Sequence, residues 1–254
     1  MIDISVVIPF KEVDDSGCVE LLRKAIESCG NHKVILSIPD DELSAEFNET
    51  FGGNVTVVKV VNTNNCETPA YLINAGVGVC TTEWFSILQF DDTYKKFWFG
   101  EVERYAKQNP TVGVFMPLTE AVDSDGNRLG YQNEIAWASS FVNNLGELSA
   151  DVLQDYHLFS PWGSVIKRDT FIKDGGLKPS MKVSYLYEYL MRSANEGHLV
   201  YVVPKSGYVH LINREGGYNY TVTRDMDKEE IEWWYDLAKK ECYFKVDRNK
   251  TYEG

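Results

Sequence analysis

Two adjacent carboxylates, Asp91 and Asp92, follow the run Trp84-Phe85-Ser86-Ile87-Leu88. That run has no period-2 alternation, so it reads as a strand covered on both faces. Open α/β sheets place ligands beyond the C-terminal ends of their strands, where Gln89-Phe90-Asp91-Asp92 would stand. Carboxylates side by side repel, and each raises the other's pKa, unless a cation sits between them. Hard divalent cations such as Mg²⁺ or Mn²⁺ take oxygen ligands, often one or two carboxylates plus substrate phosphates. The pattern points to a metal–diphosphate site. Asp-Asp-Thr also opens turns and caps helices, and on this stretch alone both readings stand.

The elements that would position this knot alternate along the first half. Strands are expected at 4–8, 34–38, 55–61 and 84–88, and helices at 16–29, 43–50 and 68–80. Uninterrupted β-branched strands alternating with helices predict a parallel sheet with helices on both faces. Right-handed crossovers bring the strands' C-terminal ends to one edge. Pro9-Phe10-Lys11, Pro39-Asp40-Asp41, residues 62–65 and residues 89–92 then line one crevice.

The second half is less regular. Helices are expected at 97–108, near 137–145, at 183–195 and at 228–242, with a helical turn over 168–173 before Gly175-Gly176. Strands are expected at 112–116, 163–166, 199–203 and 208–212, and a hairpin turn at 123–126. Trp233, Trp234, Leu237 and Ala238 would pack the last helix onto the body. With no repeat, low-complexity tract or linker, the chain reads as one α/β domain. Residues 1–95 form a nucleotide-binding half, 96–217 an acceptor and catalytic half, and 218–254 a C-terminal helical segment.

Composition narrows the partners. The 254 residues are 44% hydrophobic, enough for a sizeable core, and carry a net charge of −13. Nucleic acids and anionic membranes are polyanions, so neither is an expected partner. The five cysteines, Cys18, Cys29, Cys66, Cys80 and Cys242, show no CxxC spacing and read as free thiols of a reducing compartment. The opening MIDISVVIPF has no basic stretch, and its apolar run is too short for a signal peptide or a membrane span. A soluble, cytoplasmic monomer or weak dimer is expected, with no transmembrane segment.

In this order, the pieces resemble family 2 glycosyltransferases of the GT-A fold, a Rossmann-like mixed, mostly parallel sheet flanked by helices. SVVIPF resembles the family's first strand and its proline. KVILSIPDD resembles the second strand with a base-contacting Asp. ETPAYLINAGVGVCTTEWFSILQFDD resembles the segment from an Asn-x-Gly helix to the metal-binding DxD. GSVIKRDTFIKDGGL resembles the acceptor-side strand and Gly-Gly turn. EYLMR and YVHLINREGG resemble the catalytic helix and the late His segment. The likeness spans most of residues 2–217 and rests on order and spacing, not on any single motif. Two positions depart from it. Gln89 stands where the family has a ribose-contacting Asp, and Tyr185-Leu186 stand where it has Glu-Asp. The nearest carboxylate is Glu188, about one turn further along the same helix face.

The resemblance implies metal-dependent, inverting transfer of a sugar from a nucleotide-sugar donor to a hydroxyl of a sugar or glycoconjugate acceptor, with Mn²⁺ or Mg²⁺. Asp40 would accept a ring N–H of the base, or cap a helix. Pro9, Phe10 and Lys11 would wall the nucleotide pocket, with Asn74, Gln89 and Phe90 beside it. Asp91 would ligate the metal directly, Asp92 would join it or orient the loop, and His210 would complete the shell. Arg214 would meet the diphosphate through paired donors. Glu188 would take the acceptor's proton, and Trp137 and Trp162 would stack on sugar faces. Two other classes stay open. Gln89 and the missing Glu-Asp pair suit a non-catalytic nucleotide-sugar or glycan-binding module. A nucleotidyltransferase fits less well, because Pro9-Phe10-Lys11 lacks the glycines of a phosphate loop.

Overall fold

The computed structural model of the chain describes residues 2–11, 16–39, 47, 49–51, 53–61, 68–212, 214, 222 and 224–242. The first half forms β1 (Ile4–Pro9), α1 (Ser16–Ser28), β2 (Lys33–Pro39), β3 (Val55–Val60), α2 (Ala70–Val79) and β4 (Trp84–Ile87). Next come β5 (Thr93–Tyr94), α3 (Trp98–Gln108), β6 (Val112–Val122), β7 (Arg128–Gln132), β8 (Glu147–Leu148) and α4 (Ala150–Asp155). The last are β9 (Val165–Lys167), α5 (Arg168–Lys173), α6 (Tyr185–Asn195), β10 (Leu199–Leu211) and α7 (Lys228–Cys242).

Among the described residues ten strands join one sheet in the order β3-β2-β1-β4-β9-β6-β10-β5, with β7 on β6 and β8 on β10. Parallel pairing links β3, β2, β1 and β4, and again β6 and β10. β9 runs antiparallel to both β4 and β6, so β6 and β10 point the same way as the first four strands. The C-terminal ends of β1, β2, β4, β6 and β10 therefore share one edge, as the alternation predicts. β1 and β4 are buried at every position, which is why their sequences run apolar without alternating. Gly76 lets α2 lie close on this sheet, since a Cβ there would stand 2.5 Å from both Ser37 Oγ and Val7 Cγ1.

Three readings change in the second half. The two strands expected at 199–203 and 208–212 are one strand, β10, whose register on β6 shifts around Ser206. Pro204 and Gly207 irregularise the ladder without ending it, a β-bulge rather than a turn. Gly207 also admits Trp98, which a Cβ would meet at 2.2 Å. β6 runs to Val122, well past residue 116. The helix expected near 137–145 is a single 3₁₀ turn, Glu134–Trp137, entered through Asn133 in the left-handed region at φ 69°. Most of the helix expected at 43–50 lies outside the described residues, as does Cys66. Cys18, Cys29 and Cys80 are buried thiols. Among the described residues no helix is long and apolar enough to cross a membrane.

Candidate functional site

The β4 exit is locked from both sides. Leu88 N–H donates to Val7 O at 3.0 Å, and Gly163 N–H donates to Ile87 O at 2.9 Å. Gln89 N–H then donates to the Tyr208 hydroxyl at 3.2 Å, tying the start of the polar knot to β10.

Asp92 is the hub of that knot. It is 1% exposed. Its Oδ2 accepts from the Tyr208 hydroxyl at 2.7 Å and from Gln89 Nε2 at 3.1 Å, and meets His210 Nδ1 at 2.9 Å. Its Oδ1 accepts from Leu211 N–H at 2.8 Å. Both oxygens are therefore occupied by the protein. Of the two roles expected of Asp92, joining a metal or orienting the loop, these contacts suit the second: they hold His210 and tie β10 to the β4 exit. Bonding at Nδ1 fixes the imidazole and leaves Nε2 as its other ring donor atom.

Asp91 points elsewhere. Its Oδ2 accepts from Arg214 Nε at 2.7 Å, and the Arg214 guanidinium lies 4.8 Å from the centre of the Phe90 ring. Burial, and then the neighbouring Asp92 charge, push the Asp91 carboxyl up to about 6, against the pull of Arg214 and His210. Burial alone would lower the His210 pKa, but Asp92 and Asp91 outweigh it and the net shift is upward.

These atoms fit a hard divalent cation. Asp91 and His210 Nε2 can ligate it, with Asp92 behind the imidazole in the carboxylate–histidine arrangement common at metal sites. Phosphate oxygens and water complete the shells of Mg²⁺ and Mn²⁺ where protein ligands are few. Among the described residues no group of three or more His, Cys, Asp or Glu side chains converges on one point.

A cleft beside the knot is lined by Pro9, Lys11, Pro69, Gln89, Phe90, Asp91 and Trp162. Phe10 is not in its wall. It is 1% exposed and packs edge-on against Phe90 and Phe47, with ring centres 5.1 and 5.4 Å away. Its part is to back Phe90, because a strand's alternation turns Phe10 away from its neighbours' face. Asn74 is also elsewhere. Its amide donates to Leu177 O and accepts from Leu177 N–H, both at 2.8 Å, clamping α2 to the Gly175-Gly176 turn. Asp40 and residues 62–65 lie outside the described residues.

Glu188 departs from the expected role of an open base. It has no exposed surface. Arg192 grips it with Nε to Oε1 at 2.8 Å and Nη2 to Oε2 at 2.9 Å, while Lys178 Nζ stands 3.0 Å from Oε1. Burial raises its pKa, but Arg192 and then Lys178 overcome that and hold it below the usual glutamate value. Arg192 also donates to Asp174 O and, at 2.6 Å, to Gly176 O. Glu188 therefore braces the 174–178 turn against α6.

Across Trp162 from the donor-side cleft lies a second hollow of about 210 Å³, faced by His157, Pro161, Tyr187, His210 and Tyr235. Trp162, only 6% exposed, lines both. Trp137 lines a third hollow further out, and its Nε1 donates to Val202 O at 3.1 Å. Tyr208, His157, Tyr187 and Tyr235 were not among the expected site residues. The Tyr-x-His spacing of Tyr208 and His210 was the available signal, since residues i and i+2 share one strand face. A separate hollow beside Cys29, His32 and Phe99 lies at the N-terminal ends of β1 and β2, away from this edge.

No family model matches this sequence, and no curated protein matches it. Solved structures do match. S. aureus TarS residues 1–349 in complex with UDP-GlcNAc superposes with a TM-score of 0.68 at 13% identity, covering 93% of this chain and 65% of that one. The same TarS fragment in complex with UDP gives a TM-score of 0.62 at 13% identity, covering 95% and 70%. The chain spans about two thirds (65%) of the TarS fragment with UDP-GlcNAc. At such identity the likeness is one of fold, and the fold is the GT-A type.

Proposed function

We propose that the chain is a glycosyltransferase that moves a sugar from a uridine diphosphate sugar to a hydroxyl of a glycan acceptor. The observation that carries this reading is the Asp91, Asp92 and His210 cluster at the C-terminal edge of a GT-A sheet. TarS, which shares that fold, was crystallised with UDP-GlcNAc and with UDP. Only the donor class is carried over from it. An inverting course rests on the family resemblance alone.

In this reading Phe90 and Pro9 wall the donor cleft, and Gln89 offers an amide to a ribose hydroxyl in place of a carboxylate. Asp91 and His210 would hold Mn²⁺ or Mg²⁺ against the diphosphate, and that ion supplies charge neutralisation to the leaving group. Lys11 and Arg214 border the same phosphates. Asp92 keeps the imidazole turned, and Tyr208 keeps Asp92 in place. Trp162 stands between donor and acceptor and excludes water from the line between them.

The test is thermal unfolding with UDP, UDP-GlcNAc, GDP and GDP-sugars, each with Mn²⁺, followed by an assay for release of nucleoside diphosphate. A rise in melting temperature with uridine ligands together with turnover supports the reading. No rise with any of them at millimolar ligand overturns it. The sealed Glu188 favours a second reading, a binding module without turnover. Stabilisation by UDP-sugars with no release of UDP in any acceptor mixture would select that one.

A further inference from the structure

The hollows on the acceptor side are parts of one groove. The donor cleft and the 210 Å³ hollow share Trp162, and that hollow shares Gln132 and Leu158 with the outer one, of about 780 Å³. The path therefore leads from Asp91, past Trp162 and His210, and out over the β6–β7 hairpin. Spaces of this size hold ligands larger than one small molecule's reacting group.

Two features describe the occupant. Aromatic rings recur along the path, from Trp162 and Tyr187 to Tyr156, Trp137 and Tyr131. Basic side chains are few: among the described residues no lysine or arginine lines either hollow, Arg128 reaches the outer end, donating to the Tyr131 hydroxyl at 3.0 Å with its guanidinium 5.4 Å from that ring's centre, and the outer hollow carries the carboxylate Glu134. Burial lowers the pKa of His157, disfavouring its charged form. Rings in sequence with so few cations suit the apolar faces of uncharged pyranoses. A phosphorylated or sialylated chain would find little counter-charge there beyond Arg128 and would meet a protein of net charge −13.

The floor of the groove is fixed. Asn133, 4% exposed, is held in the left-handed region. Its amide donates to Pro117 O at 2.8 Å and to Ser160 O at 2.9 Å, and accepts from Ser160 N–H at 2.8 Å. Asn enters that region more readily than most residues, and non-glycine residues held there concentrate at binding sites. Here the clamp ties β6 to the 157–161 segment, joining the walls of the two hollows. A groove fixed before binding spends little affinity on ordering itself.

We infer that the acceptor is an uncharged oligosaccharide held over several sugar units, with its reacting end beside Trp162 and its remaining units along Tyr156, Trp137 and Tyr131. This deepens the glycosyltransferase reading and rests on it for the direction of the chain. The experiment is binding of the full chain to an immobilised ladder of neutral β-linked oligosaccharides of one to six units, beside sialylated and phosphorylated glycans. UDP binding to the wild-type protein is measured separately. Signal should rise with length by roughly two- to tenfold for each stacked unit. Tyr131→Ala, an exposed position, should flatten the rise at the longer rungs, and Trp137→Phe should weaken it. A signal indifferent to length, a preference for the charged glycans, no binding to any neutral rung, or an unaltered ladder in Tyr131→Ala overturns the inference. Failure of UDP binding with the ladder intact would instead sink the transferase reading and leave an oligosaccharide-binding groove.

Discussion

Asp92 Oδ2 and His210 Nδ1 lie 2.9 Å apart, although 118 positions separate the two residues in the chain. The contact joins the end of β4 to the end of β10 and fixes the imidazole ring. Asp92 thereby serves the candidate cation site from behind. Replacing it with Asn keeps shape and some hydrogen bonding but removes the charge. Asp92→Asn should weaken Mn²⁺ binding in the presence of UDP by about 10- to 100-fold, the usual loss for such supporting residues. A calorimetric Mn²⁺ titration of the folded variant reads this directly. An unchanged affinity would remove Asp92 from that role.

Glu188 gives a pH prediction. Its folded pKa lies below the ordinary value of 4.5, so its stabilisation is present above that value and lost as pH falls through the folded one. Glu188→Gln should cost about 2–4 kcal/mol at pH 7, after discounting the partly exposed Lys178. The gap between wild type and variant should close in acid. Denaturant unfolding at pH 7 and below pH 4 checks both statements. If the variant unfolds like wild type but shows a displaced pH–rate profile, Glu188 is a base after all.

Gly163 sets the position of Tyr208, and through it Asp92. Its φ is +78°, and a Cβ there would stand 2.4 Å from Tyr208 Cδ2. Gly163→Ala should destabilise the fold by about 2 kcal/mol, through strain and crowding together. It should also loosen nucleotide binding, because the ring must move. Denaturant melts and a UDP titration test the two effects separately. Unaltered values in both would break the proposed link from Gly163 to Asp92.

The sheet was legible because its signals are local. Unbroken apolar runs mark β1, β2 and β4 as strands buried on both faces, and polar residues after them mark the edge where they end. The place of Asp91 at that edge could be read for the same reason. The role of Asp92 could not, since its four partners come from Gln89, Tyr208, His210 and Leu211, and three of those lie across the sheet. Asn74 and Glu188 misled in a related way. Each occupies a position the family resemblance makes functional, yet each is turned to the 174–178 turn, Asn74 by Leu177, 103 positions away, and Glu188 by Lys178 and Arg192. The single strand β10 was hidden by Pro204 and Gly207, which locally resemble a break. The groove beyond Trp162 was hidden for want of periodicity, as its walls come from a 3₁₀ turn and irregular segments held by the Asn133 amide.

The central claim is that Asp91 and His210 form a nucleotide-diphosphate site completed by a divalent cation. Calorimetric titration of UDP into wild type and into Asp91→Ala, each with and without Mn²⁺, tests it most directly. UDP should bind wild type at least about tenfold more tightly with Mn²⁺, and Asp91→Ala should lose that gain. UDP that fails to bind wild type, or an equal Mn²⁺ gain in Asp91→Ala, would contradict the assignment.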